Sequence, residues 1–340
     1  MKGHVIILDH IGARRAAALL VDGQLDDFLI DGDTPRPGTI YRAVPDRAIK
    51  GQGGMFLKTP DGQAFLRRSK GVSPGKPVLV QVTGYAEPGK AIPVTDKVLF
   101  KSRYAIVTPD APGINVSRAI KDEERRDQLL ALAHDVTGED DFGLILRSAC
   151  HHAEEADIAG DIAAMRRLAA EVVAHMGAGP ERLLEGDDAH LTAWREWITR
   201  AQIVTTPGAF AKYDVLSHLE AIKIPSVALE GGAYMIIEPT SALVAVDVNT
   251  GQNTSLAAAL KANLSCAKAL PRALRLRGLG GQITIDLAPM PKKDRRAFET
   301  ALRTAFRSDL VETALVGWTP LGHYELQRKR VRPKAADLLI

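Results

Sequence analysis

ALVAVDVNTG at residues 242–251 and GLGGQITIDLAPM at residues 278–290 decide how the last third of this chain folds. In the first stretch Val244, Val246 and Val248 alternate with Ala245, Asp247 and Asn249. A strand's two-residue period therefore puts the valines on one face and the carboxylate and amide together on the other. In the second, Ile283, Ile285 and Leu287 define an apolar face and Asp286 points away from it. Between the two, Ser255 is placed to cap a helix with Leu256, Leu260, Leu264, Ala267, Leu270 and Leu274 inward, a kink at Pro271 and a stop at Gly278, Gly280 and Gly281. Strand, helix, strand in this order predicts an α/β layer domain. If the strands are neighbours, Asp247 and Asp286 converge. Aspartates bracketed by β-branched residues are costly to bury unpaired. One or two carboxylates, completed by waters and a substrate phosphate, make a sufficient Mg²⁺ site, which is nuclease or phosphotransferase chemistry. The competing reading has each aspartate making a salt bridge or capping a turn at a strand end.

Upstream, VIIL (5–8), AAALLV (16–21) and FLI (28–30) are short apolar runs, and Asp22-Gly23 is a hairpin signal between the last two. Short strands at TIYRAV, GMFLKT, AFLRR and VLVQVTGY, punctuated by Pro60-Asp61-Gly62 and Pro74-Gly75, predict a small barrel of OB-fold type between about 34 and 97. Phe56, Phe65 and Tyr85, beside Arg67, Arg68 and Lys90, could there stack bases and meet phosphates; the alternative is that the aromatics are core. From about 117 to 200 the period becomes helical. Ile158, Ile162, Met165, Ala169, Val172 and Met176 mark one apolar face ending at Gly177, and Trp194 and Trp197 are expected to share a core-facing side. His151-His152 has no partner at ligand spacing and reads as a surface pair.

The chain has 340 residues, 46% hydrophobic and 25% charged, enough for two domains and a sizeable core. Cys150 and Cys266 are too few for a disulfide framework or a four-thiolate zinc site, which predicts a reducing cytoplasm. The opening apolar run VIIL is too short for a signal peptide or membrane span, so neither secretion nor membrane insertion is expected. A net charge of +3 conceals an asymmetry: residues 121–199 hold 8 Lys/Arg against 18 Asp/Glu, and residues 268–334 hold 15 against 6. The basic end suits a polyanionic partner, or else is a solvated surface.

The runs GGAYMIIEPTSALVAVDVNTG, LRLRGLGGQITIDLAPM and PLGHYELQRKRVRP closely resemble the catalytic core of the ribonuclease E/G family. Residues 1–31 resemble that family's opening strands, TIYRAV through VLVQVTGYAEPGKAIPVT its OB-fold RNA-binding insert, and GLILRSA its 5′-monophosphate-sensing segment. The resemblance implies a mixed α/β protein with an RNase H-like/DNase I-like catalytic core, an inserted OB-fold β-barrel and a helical sensor-like segment. It places a split RNase H-like subdomain at 1–33 and 201–225, the OB-fold at 34–97, the sensor-like helical region at 98–200 and the DNase I-like subdomain at 226–340. It further implies that Asp247 and Asp286 ligate Mg²⁺, with Mn²⁺ able to substitute, and that Asn249 orients Asp247 and contacts the scissile phosphate. Phe56, Phe65 and Lys90 match RNA-binding positions, and Arg147 with Ser148 match the 5′-phosphate pocket. The implied reaction is cleavage of single-stranded RNA, from ribosomal precursors or messengers, to 5′-phosphate and 3′-hydroxyl ends.

The sequence also departs from the family pattern. It holds no CPxC zinc-link, so no zinc and no zinc-linked dimer are expected. Pro289 replaces an acidic residue beside the site, Ser102 stands where glycine is usual, and Glu312 falls where a further pocket arginine is expected. Glu312 would repel a phosphate, so with Ser102 it argues against dependence on a 5′-monophosphate, whereas Pro289 and the lack of the zinc-link keep open a non-catalytic RNA-binding protein with the same fold; a deoxyribonuclease or other phosphodiesterase is a third reading.

Overall fold

The computed structural model describes residues 3–48, 53–67, 71–137 and 141–339. The chain forms two compact units, Met1–Gly32 with Thr199–Ile340, and Asp33–Ile198. The first opens with an antiparallel meander, β1 (His4–Ile11), β2 (Arg14–Val21) and β3 (Gln24–Ile30). Asp22 and Gly23 both have positive φ (49° and 81°). Two such residues make the tight turn whose twist matches the flanking strands.

The second unit contains a closed, OB-like barrel of β4 (Ile40–Ala48), β5 (Met55–Thr59), β6 (Gly62–Leu66), β7 (Val78–Val82) and β8 (Ile92–Thr95), with β7 pairing back to β4. Tyr41, Leu57, Ala64, Leu66, Val80 and Val94 fill its interior. Beyond it come β9 (Phe100–Lys101), β10 (Ala105–Thr108), β11 (Ile114–Val116), α1 (Glu123–Val136), β12 (Gly143–Leu146), α2 (Glu155–Ala174), β13 (Glu181–Leu184) and α3 (Ala189–Glu196). This stretch is less helical than its periodicity suggests. β11, β12, β10 and β9 make a four-stranded sheet, and β13 pairs with β4 of the barrel. Strands of two to four residues are too short for a period of two to register against adjoining helices.

Helix α2 buries Ile158, Ile162, Ala169 and Val172, but it ends at Ala174, and Met176 is exposed beyond it. Gly177 serves Arg42 rather than the helix end: a Cβ there would lie 2.3 Å from the Arg42 guanidinium carbon. Trp197 is buried, whereas Trp194 is half exposed under the Arg103 guanidinium, 5.1 Å from its ring centre. The two tryptophans part because α3 stops at Glu196 and leaves Trp197 on a non-helical residue.

The first unit resumes with β14 (Gln202–Val204), parallel to β1, then α4 (Ala209–Lys212), α5 (Val215–Lys223), β15 (Ser226–Ala228), β16 (Tyr234–Pro239), β17 (Val244–Asn249), α6 (Leu256–Arg277), β18 (Gly281–Asp286), α7 (Arg295–Arg307), β19 (Thr313–Trp318), β20 (Tyr324–Arg328) and α8 (Ala335–Leu338). The sheet order is β15-β16-β17-β18-β20-β19. β17 and β18 run parallel, joined by α6. Val244, Val246, Val248, Ile283 and Ile285 pack with Cys266, Leu270 and Leu274 of α6 and Phe298 and Leu302 of α7. Ser255 caps α6 by accepting from Ala258 N–H.

The inward stripe of α6 differs from expectation in one respect. Leu256 is exposed, and the inward stripe includes Ala259, Ala262, Asn263 and Cys266. Pro271 lies buried inside the helix without ending it; the packing of the whole inner face outweighs the roughly 3 kcal/mol cost of an interior proline. At its end Gly278 takes a left-handed φ of 64°, and a Cβ there would meet Pro333 O at 1.8 Å.

Candidate nuclease site

The site is built by the β17–α6–β18 crossover. Asp247 and Asp286 are direct register partners, so their side chains stand on adjacent strands about 4.8 Å apart, on the exposed face opposite the valines. Asn249 Nδ2 donates to Asp247 Oδ2 at 2.8 Å, which two-residue spacing on one strand face makes possible. Such oxygen donors fit a hard divalent ion, since Mg²⁺ commonly takes one or two carboxylates and keeps waters and phosphate oxygens for the rest of its shell. Among the described residues no three or more His, Cys, Asp or Glu side chains are grouped so as to hold a metal ion between them.

Three neighbours escaped the sequence reading. His323 Nε2 lies 3.6 Å from Asp286 Oδ1. It is held by the Thr319–His323 turn, in which Thr319 Oγ1 accepts from His323 N–H. Asn263, wholly buried on α6, donates to Ala288 O at 2.9 Å and accepts from Ala288 N–H at 3.0 Å. It thereby fixes the loop that leaves Asp286; an amide in an otherwise apolar stripe was its signal. Gly251, with φ of 68°, lets the chain after Asn249 pass Gly232 O, which a Cβ would approach to 2.5 Å. Pro289 is exposed on the Asp286 loop.

On the barrel, Phe56 and Phe65 are register partners with ring centres 5.3 Å apart. Both are half-buried, outside the barrel's core, and the Arg47 guanidinium lies 5.4 Å from the Phe56 ring centre. Gly54 makes room for this pair: a Cβ would sit 2.4 Å from the Phe65 ring. Lys90 is exposed and ion-paired with Glu87. Tyr85 is half-buried and Arg67 exposed, while Arg68 lies outside the described residues.

Arg147 leaves β12 into a dense polar cluster. Its guanidinium donates to Ser102 O at 2.5 Å and to Glu196 Oε2 at 2.7 Å, and also to the carbonyls of Arg103 and Arg195. Burial alone would raise the Glu196 pKa, but Lys101, Arg147 and Arg195 outweigh it and hold the carboxyl down to about 2. Ser148 opens the short Ser148–His151 turn beside it. Ser102 Oγ donates to Asp161 at 2.5 Å. Glu312, in the other unit, pairs with Lys329 at 2.5 Å. The His151 and His152 rings lie against each other at a tilt of 57°, 4.1 Å between ring centres.

The basic end is divided between inside and outside. Arg275 pairs with Asp26, Asp27 and Asp309, Arg328 with Asp309, and Arg332 with Asp27. Arg272 and Arg277 donate to the carbonyls of Leu25 and Ile224. No helix among the described residues is long and apolar enough to cross a membrane.

The sequence model of the ribonuclease E/G family matches residues 100–205 and 195–331. Ribonuclease G of Salmonella typhimurium (strain SL1344) is 29% identical over 386 residues, covering 95% of this chain and 79% of that protein. Ribonuclease G of Escherichia coli (strain K12) is 28% identical with the same coverage. Ribonuclease E of a Synechocystis species is 26% identical, covering 93% of this chain and 55% of that protein. With matches across both units, the chain belongs to the ribonuclease E/G family.

Proposed function

We propose that this protein is a Mg²⁺-dependent endoribonuclease that cuts single-stranded RNA to 5′-phosphate and 3′-hydroxyl ends, in ribosomal RNA processing or messenger decay in the cytoplasm. The observation that carries the reading is the register pairing of Asp247 with Asp286, with Asn249 bonded to Asp247. Asp247 and Asp286 would hold the ion, with Mn²⁺ an admissible substitute. A divalent ion there supplies Lewis-acid polarisation of the phosphoryl group and favours in-line attack by water. Asn249 donates one amide N–H to Asp247, which holds that carboxylate in one orientation, and its second N–H would donate to the scissile phosphate. Phe56 and Phe65 stack bases and Lys90 exchanges Glu87 for a backbone phosphate. Arg147 and Ser148 are the proposed 5′-phosphate contacts, where an incoming phosphate competes with Glu196 for the guanidinium.

Purified protein incubated with 5′-monophosphorylated single-stranded RNA is expected to cleave with Mg²⁺ and not with EDTA. Asp247→Asn is expected to abolish cleavage and leave RNA binding intact or stronger, because a negative charge is removed next to the phosphates. Intact RNA under every metal condition with gel-shift binding retained would establish instead the non-catalytic RNA-binding reading, which Pro289 in place of an acid favours.

A further inference from the structure

We propose that the solvent face of α7 is a second RNA-backbone track, distinct from the barrel and from the carboxylate pair, that grips phosphates of a strand passing the cleavage site. The proposal takes its ligand from the ribonuclease reading above. α7 buries Phe298, Leu302 and Phe306. Its opposite face carries Arg296, Arg303 and Arg307, at intervals of seven and four that place them in one stripe. Lys292 and Lys293 continue the stripe into the loop that comes from Asp286. All five side chains are exposed, and none has an ion-pair or hydrogen-bond partner among the described residues.

That freedom sets the α7 arginines apart from Arg272, Arg275, Arg277, Arg328 and Arg332, which are all engaged internally. The residues between the arginines do not compete for them. Thr300 and Thr304 donate back to the carbonyls of Arg296 and Thr300, and Glu299, the one acid within α7, accepts from Trp318 Nε1 at 2.6 Å. Arg303 and Arg307, four apart and alike in charge, repel each other along the helix, which a bound anion relieves. Guanidinium groups suit phosphate in particular, because their forked donors bind it bidentately.

Arg296 to Arg307 spans about 16 Å of helix axis, a length that favours a polymer of phosphates over a single anion. The N-terminal end of the stripe adjoins the site. Arg295 stacks 4.2 Å from the Trp318 ring centre and reaches within 3.5 Å of a Cβ placed on Gly322, the neighbour of His323. A membrane surface fits less well, since the apolar face of α7 is consumed by the core and has nothing to insert.

The test uses the full chain carrying Arg296→Gln, Arg303→Gln and Arg307→Gln together, with binding measured in EDTA so that turnover plays no part. For a long single-stranded RNA we expect at least tenfold weaker binding at low salt. The slope of log affinity against log salt should become shallower by about 2, since each phosphate neutralised on a single strand adds roughly 0.7 to it. Binding of a short oligoribonucleotide should stay unchanged. Thr300→Arg, which adds a cation to the same stripe, should steepen the slope for long RNA by about 0.7. Wild-type affinity and slope in the triple variant, with an unchanged thermal melt, would overturn the proposal, as would a loss confined to phosphatidylserine vesicles. Absence of cleavage by the wild-type protein would count against the nuclease reading alone and leave this binding measurement standing.

Discussion

Asn263 is the residue on which the geometry of the carboxylate pair rests most heavily without belonging to it. Both of its amide atoms are used on Ala288, two positions beyond Asp286. Replacement by alanine would leave a buried N–H and C=O unpaired, a penalty of about 1–3 kcal/mol per group. Asn263→Ala is expected to lower stability by about 2–3 kcal/mol, read as a lower urea midpoint at unchanged m-value. Phe65 is the converse case, a large aromatic that the core does not use. Phe65→Ala should weaken single-strand binding by about 1–3 kcal/mol while barely moving the melting temperature. Unchanged affinity with a destabilised fold would mark Phe65 as a packing residue.

At the scale of elements, the parallel β17–β18 pair explains why two aspartates 39 positions apart in sequence meet. A right-handed strand–helix–strand crossover returns the second strand alongside the first, and residues near the carboxyl ends of such strands form the usual place for chemistry. Much of this was legible beforehand. Alternating valines and isoleucines declared which face was buried, and Ser255 and Gly278 declared where α6 starts and stops. The sheet of β9 to β12 was not legible, because its strands are held by pairing with remote partners rather than by any local pattern.

Those same elements are tied by Glu196 of α3, which meets Lys101 of β9 and Arg147 after β12. Its carboxyl is depressed to about 2 against an ordinary 4.5. A carboxylate lowered on folding contributes stability that is complete above the unfolded value and is lost as pH falls toward the folded one. Urea midpoints followed by tryptophan fluorescence should therefore decline between about pH 4.5 and 2. Glu196→Gln should start less stable at neutral pH and decline less across that window.

For the whole molecule, charge shows what a count of residues conceals. The excess of positive charge over 268–334 reads as one basic surface, yet most of its arginines are drawn inward. Arg275, Arg328 and Arg332 neutralise Asp27 and Asp309, and so tie α6, β20 and the C-terminal stretch to β3. The arginines left exposed and without an ion-pair or hydrogen-bond partner among the described residues are those of the α7 stripe. Sequence by itself determined the local terms of this protein: strand faces, helix caps, the turn at Asp22-Gly23, and the presence of two aspartates and an asparagine on polar faces. Those follow from periodicity and backbone conformation, which act over a few residues. Tertiary structure alone decided that Asp247 and Asp286 are partners, that Asn263 clasps Ala288, and which arginines are spent on aspartates as many as 305 positions away. Pairings of that kind are selected by the packing of whole elements, where burial and charge compensation are settled together, and no local pattern encodes them.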